Sequence, residues 1–386
     1  MNTNDQAKKG MSTTYILGQL IGLIGLALCI SILVTNIHDN LKQFDLTLDW
    51  SFLAQKSGFG ITQKWLSHNS YHNNLNVLLV GIANTIVVSL LAIIVSTELG
   101  VIVALSSRSP NPLIRGTGRV YVHVFRNVPL LVQILFWYNI WVLRTPTVPN
   151  TWHAGLIALN NRGIYFPEIG ASQEMLIGLM GVWVAHVLLL RLFQYRKIAS
   201  YSIKRYQLLP VCTITTSAYL VLVIIALWLS NSLIPPEIGR FNVSGYHIYP
   251  EFIALFLGLS LYTGAYNAES IRGAILSVPV GQQEAAETLS MSPWQCFRQV
   301  ILPQSVPGFI PPLTSHYVNC TKNSSLGLAV GYPEVFAIFA GTVLNQTGRA
   351  FEIIAIIMVV YAALSLVTIQ SMNWVNTRQK KWVLGT

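Results

Sequence analysis

Long apolar stretches separated by short polar ones set the plan of the chain. Residues 14–35, 77–97, 209–230 and 353–377 contain long runs of apolar side chains, and none of the four carries Asp, Glu, Lys, Arg or His. Each is as long as the run of about 20 apolar residues that lets a helix cross a hydrocarbon layer of about 30 Å. Carrying the pattern through less uniform segments predicts eight spans, near 14–35, 77–105, 119–143, 175–192, 209–230, 252–276, 305–345 and 353–376. The first is too long for a signal-peptide core and lacks a small-residue cleavage site before Asn36, so it reads as a retained span.

The connections are less regular. Residues 36–76 form the longest polar one, and within it Phe44–Phe52 alternates apolar and polar positions. A period of two is a strand pattern, although a locally ordered loop is the preferred reading. Ser109-Pro110-Asn111-Pro112 should end the second span in a turn. Residues 144–174 and 231–251, with their Trp, Tyr, Pro and Gly, read as short loops near the lipid headgroups.

Composition agrees with lipid as the main solvent. Of the 386 residues, 53% are hydrophobic and 10% charged, against roughly a quarter charged in soluble domains. The net charge of +10 orients the chain rather than marking a nucleic-acid surface. With the N-terminus inside, fifteen basic residues fall in cytoplasmic segments, seven fall outside, and Arg126 and Lys322 lie within spans. That asymmetry is the positive-inside rule. The loop 191–208 is the most basic, with five cations and no acid. Cys29, Cys212, Cys296 and Cys320 form no disulfide or zinc pattern, and the eight histidines show no metal or catalytic spacing.

Residues 281–303 are a polar, helix-prone island between spans. Glu284-Ala285-Ala286-Glu287 favours helix and leaves a flat face. Ser292 has the position of an N-cap, with Pro293 at the first helical position and Gln295 three residues after the cap. Pro303 should stop or kink the helix at that point. The island therefore reads as a helix–turn–helix projecting into the cytoplasm.

Its spacing resembles the loop by which permease subunits of ABC importers dock onto their ATPase. That loop runs Glu-Ala-Ala, three residues, Gly, nine residues, Ile, one residue, Leu-Pro. Here Glu284, Ala285, Ala286, Leu302 and Pro303 match, Val300 replaces the isoleucine, and Ser290 replaces the glycine. A serine side chain resists a positive-φ turn at that point. Gly81-Ile82-Ala83-Asn84-Thr85, Phe125-Arg126-Asn127-Val128-Pro129-Leu130-Leu131-Val132-Gln133, Ala268–Ile275, Lys322-Asn323-Ser324-Ser325-Leu326 and Gly331-Tyr332-Pro333-Glu334 extend the likeness. They resemble the polar amino-acid branch, and most of all its longer general L-amino-acid permease subunits. The resemblance covers 77–143 and 252–376, the five-span core, with 1–76 and the pair of spans at 175–230 as additions and 377–386 as a cytoplasmic tail.

Ionisable side chains at membrane depth usually face a pore, a partner or water. Glu98 should reach the headgroups, while Arg126 with Asn127 precedes a backbone break at Pro129. Glu269 and Arg272, three apart, should form a structural ion pair. Residues 305–345 are the best pathway candidate: Pro307, Pro311 and Pro312 break the first part, and Lys322, Asn323, Ser324 and Ser325 make the middle polar. Lys322 and Glu334 have the signs a zwitterion requires, but they could serve one ligand only if the chain folds back between them. Stabilising loops or contacting a second permease is the competing role. Asn84 and Thr85 join the candidate pathway set.

The expected fold is all-α, with about eight transmembrane helices, a five-helix importer core and a cytoplasmic coupling helix. The resemblance implies a translocation subunit of the bacterial inner membrane, both termini cytoplasmic, rather than an enzyme. It implies no cofactor on this chain, with ATP and Mg on partner ATP-binding subunits; no Gly-x4-Gly-Lys-Ser/Thr loop occurs here. It further implies a second permease, homologous or identical, an extracytoplasmic amino-acid-binding protein and surrounding lipid. The alternative is a solitary secondary transporter or channel, whose mark would be paired broken helices in two related halves.

Overall fold

The computed structural model describes residues 13–43, 48–170, 232–239 and 244–384. The expected spans at 175–192 and 209–230, and the basic loop 191–208 between them, lie outside the described residues. In chain order the helices are α1 (Thr13–Gln43), α2 (Asn74–Ser106), α3 (Pro112–Asn127) and α4 (Leu130–Arg144). The strands β1 (Trp152–Ala154), β2 (Ile157–Asn160), β3 (Gly163–Phe166), β4 (Glu168–Ile169), β5 (Leu233–Ile234) and β6 (Tyr246–Ile248) come next. Then come α5 (Pro250–Leu276), α6 (Val280–Thr288), α7 (Pro293–Cys296), α8 (Leu302–Asn323), α9 (Val335–Ile338), α10 (Leu344–Thr347) and α11 (Ala350–Leu384).

Helix α5 is central and packs against α2, α3, α4 and α8. Its contact with α2 is built from small residues four apart: Ala92, Ser96, Gly100 and Ala104 on one helix, Ser260, Gly264 and Ala268 on the other. Small side chains let membrane helices approach closely. A Cβ at Gly100 would stand 2.6 Å from the Cβ of Asn267, so only glycine fits there. Helix α1, by contrast, exposes Leu17, Leu20, Ile21, Leu23, Ile24 and Leu26, on every side rather than along one stripe, as a helix solvated by lipid does.

Among the described residues, Asn74–Ser106 and Ala350–Gln379 are long and apolar enough to cross a membrane, and the bent pair α3–α4 passes as a third span. The break expected at Pro129 within 119–143 is a sharp bend, for α3 and α4 meet at 105°. Pro129 has no N–H to give the Phe125 carbonyl. The Gln133 side-chain amide donates instead, to Phe125 O at 3.0 Å and to Val128 O at 2.9 Å. A side chain one turn beyond the break thus satisfies the backbone it exposes.

Two small sheets correct the all-α expectation. Strands β1-β2-β3-β6 form one antiparallel sheet and β4-β5 a second, built from the segments read as loops at 144–174 and 231–251. Tyr165 pairs with His247 across β3 and β6, its ring stacked at 4.2 Å between centroids. The larger sheet comes after α4 and leads into α5, so it lies at that end of the helices.

At Phe44–Phe52 the preferred reading, a locally ordered loop, holds over the described residues from 48 onward, and no strand forms there. Asp49 accepts the Ser51 N–H at 2.8 Å, a local turn that competes with extended backbone, and Ser51–Ala54 is a 3-10 turn. Phe52 is buried with Ile61 against Val77, Val80, Val335 and Phe339. Asp49 also accepts from Arg349 at 3.2 Å, and its own N–H donates to Glu352 at 2.8 Å, which ties this loop to the start of α11. Helix α11 itself continues through residue 384, so most of the expected tail is helical.

Candidate coupling elbow and transport pathway

The island between α5 and α8 folds as a hairpin of helices. Helix α6 ends in a Schellman turn: the Met291 N–H bonds Ala286 O at 3.1 Å and the Ser290 N–H bonds Glu287 O at 2.8 Å. The residue at the left-handed position is Ser290, with φ 55°. The serine that argued against such a turn adopts it, because the two backbone bonds and the seating of Ala286 and Met291 in one apolar cluster fix the geometry. Ser292 then forms a reciprocal capping box. Its Oγ accepts the Gln295 N–H at 3.3 Å, and Gln295 Oε1 accepts the Ser292 N–H at 2.9 Å.

After α7 the helix does not stop at Pro303. A π turn over Phe297–Ile301 takes in one extra residue, and α8 runs on from Leu302. The expected breaks at Pro307, Pro311 and Pro312 are likewise absent: all three lie inside α8. Packing against α5 and α11 supports the helix around them.

Burial divides the elbow into two faces. Ala286 is buried with Ala104, Ile271, Ile275, Cys296 and Ile301, and Leu302 and Pro303 are half-buried. Glu284, Ala285, Glu287 and Ser290 are exposed. Around them Val280, Leu289 and Trp294 are exposed as well, at 71%, 76% and 64%. A groove of 430 Å3 runs between the elbow and the end of α2, lined by Arg108, Gln283, Glu287, Met291 and Trp294 among others. An anchored hairpin with an outward apolar and acidic face can receive a partner and pass its displacement to α2, α5 and α8.

The pathway candidates separate into two groups. Asn84, Thr85, Ser324 and Glu334 are wholly buried. The Asn84 amide donates to Pro333 O at 2.7 Å and to Gln63 O at 2.8 Å, while Tyr332 donates to Asn84 O at 3.0 Å. Thr85 accepts the Val335 N–H. Glu334 caps α9, accepting from Phe336 N at 2.7 Å and Ala337 N at 2.5 Å, and also from the Tyr361 hydroxyl at 2.6 Å. These residues lock the turn after α8 onto α2. The acid that could have met a substrate ammonium has three donors from its own chain.

Arg126, Asn127 and Lys322 lie on the other side of this division and are exposed, with Asn323 and Ser325 half-buried. The Arg126 guanidinium lies 5.0 Å from the Tyr266 ring centre, a cation–π contact. His316 approaches the same ring and bonds Ser270 at 2.9 Å. Arg272 and Glu269 form the expected ion pair through two hydrogen bonds, and Glu98 is exposed. Sequence reasoning passed over Gln63, Gln133, Tyr332 and Tyr361 as structural partners. Gln133 and Tyr332 stand within motifs that carry the resemblance, and the place of Gln133 four residues after Pro129 is the signal for its role.

A helical membrane protein with a broken third span, a locked turn after α8 and a projecting elbow belongs to the class of multi-subunit transport components. Residues 96–383 match the family described as binding-protein-dependent transport system inner membrane component, and the chain belongs to that family. It is 39% identical over 366 residues to the putative amino-acid ABC transporter permease protein YhdX of Escherichia coli, covering 93% of this chain and 92% of that one. The general L-amino acid transport system permease protein AapQ of Rhizobium johnstonii is 38% identical over 88% of this chain and 85% of its own. The glutamate/glutamine/aspartate/asparagine transport system permease protein BztB of Rhodobacter capsulatus is 30% identical over 89% and 88%.

Proposed function

We propose that this chain is the permease subunit of an ATP-driven amino-acid importer and that the α6–α7 elbow is its coupling device. The observation that carries the mechanism is the elbow's two-faced burial: Ala286 seated in the helix ends, Glu284, Ala285 and Leu289 facing outward. A cytoplasmic ATPase pair, using ATP and Mg, would grip that outward face. Closure of the pair would tilt α2, α5 and α8 together and alternate access to a central path.

The reading includes a second permease, homologous or identical, an extracytoplasmic amino-acid-binding protein, and eight spans with both termini in the cytoplasm. Lys322 and Arg126, both exposed in this chain, would face the path or the second permease, whereas Asn84, Thr85 and Glu334 would shape the wall. Substituting Glu284→Lys tests the coupling role. Transport and substrate-stimulated ATP hydrolysis should fall to background with insertion unchanged, and unaltered stimulation would overturn it.

A further inference from the structure

Where α2, α3 and α5 meet, a cavity of 690 Å3 is walled by Arg108, Arg115, Arg119, Arg126, Arg272 and His123, with no carboxylate in its lining. Arg272 is matched by Glu269. Among the described residues, no carboxylate lies within 4.0 Å of the other four arginines. Arg115 reaches only the Ser109 carbonyl, at 3.4 Å. The C-terminal ends of α2 and α5 carry about half a negative charge each. Together they offset roughly one of the four positive charges, so the cavity stays strongly cationic.

Helix α3 explains the arrangement. Arg119 and Arg126 come after Arg115 at helical spacings that keep all three on one face. Leu113, Val120 and Val124 lie on the far side of the helix from them and are exposed at 77%, 63% and 45%. A cationic face opposed to a bare apolar one, on a helix bent 105° from α4, suits a membrane–water boundary and puts the arginines at headgroup depth. Guanidinium groups bind phosphate oxygens in pairs of hydrogen bonds.

We propose that this cavity holds the phosphate headgroup of an anionic phospholipid. The proposal needs only that the chain sits in a membrane, so it stands or falls separately from the coupling role of the elbow. A free phosphate or dicarboxylate shares the headgroup chemistry but does not require a site at the membrane boundary.

The test is native mass spectrometry of the whole transporter complex, purified into mixed phosphatidylglycerol and phosphatidylcholine. Phosphatidylglycerol should be retained preferentially, and the double substitution Arg115→Gln/Arg119→Gln should weaken retention at least ~tenfold, since each basic residue at the surface contributes a large fraction of that factor. Arg378→Gln, which removes an arginine stacked on Trp374 away from the cavity, should leave retention unchanged. If the double variant fails to assemble, Arg108→Gln alone should show a several-fold loss. Equal retention of both lipids, an equal loss in Arg378→Gln, or thermal stabilisation by inorganic phosphate or glutamate as large as that by phosphatidylglycerol would overturn the proposal.

Discussion

Ser290 is a position where the side chain opposes the backbone it occupies. A left-handed conformation costs an L-residue about 1–2 kcal/mol, yet the Schellman bonds of Ser290 and Met291 hold φ at 55°. Ser290→Gly should therefore stabilise the elbow by about 1 kcal/mol, and Ser290→Val, β-branched, should destabilise it; thermal unfolding of the complex would rank the three. Gln133 offers the reverse case, a side chain that repairs the backbone. Gln133→Leu leaves the Phe125 carbonyl without its donor in a buried site. It should cost about 1–3 kcal/mol, read as a lower unfolding temperature, while Gln133→Glu cannot rescue because it removes the amide donor.

Elements were legible in proportion to how local their causes are. The capping box at Ser292, the Glu269–Arg272 pair and the long helices α2 and α5 arise from residues a few positions apart, and all are present. The sheet was hidden because β3 and β6 are short and come together from distant segments. The bend in the third span was announced by Pro129, but the same signal at Pro307, Pro311 and Pro312 gave no break. Proline removes a donor wherever it stands; whether the helix yields depends on neighbours the sequence does not display. The pathway set divided for a related reason. Asn84, Thr85 and Glu334 are polar at membrane depth, which marks them as functional or as locked, and three-dimensional partners decide between the two.

At the scale of the molecule, the loop before α2 is fastened to α11 by charge. Bonds from the Ser51 backbone and hydroxyl, with a smaller contribution from Arg349, hold the Asp49 carboxyl below its usual range. Burial likewise lowers the His247 imidazole in β6. In both cases the unfolded chain binds more protons than the folded one, so stability is present above the unfolded pKa and is lost as pH falls through the folded value. The sheet should loosen first, below the ordinary histidine range near 6.5, and the Asp49 anchor later, below 3.8. Hydrogen exchange at 152–166 and 246–248, compared between neutral and acidic pH, would report the first step.

These anchored pieces leave the outside of the elbow as a face for a partner. A photo-cross-linking residue at Ala285, activated in native membranes, tests it most directly. The expected product is an adduct with an ATP-binding subunit whose yield changes when ATP is added. Adducts only with lipid, with an extracytoplasmic protein, or with no ATPase at any nucleotide state would contradict the motor-driven reading.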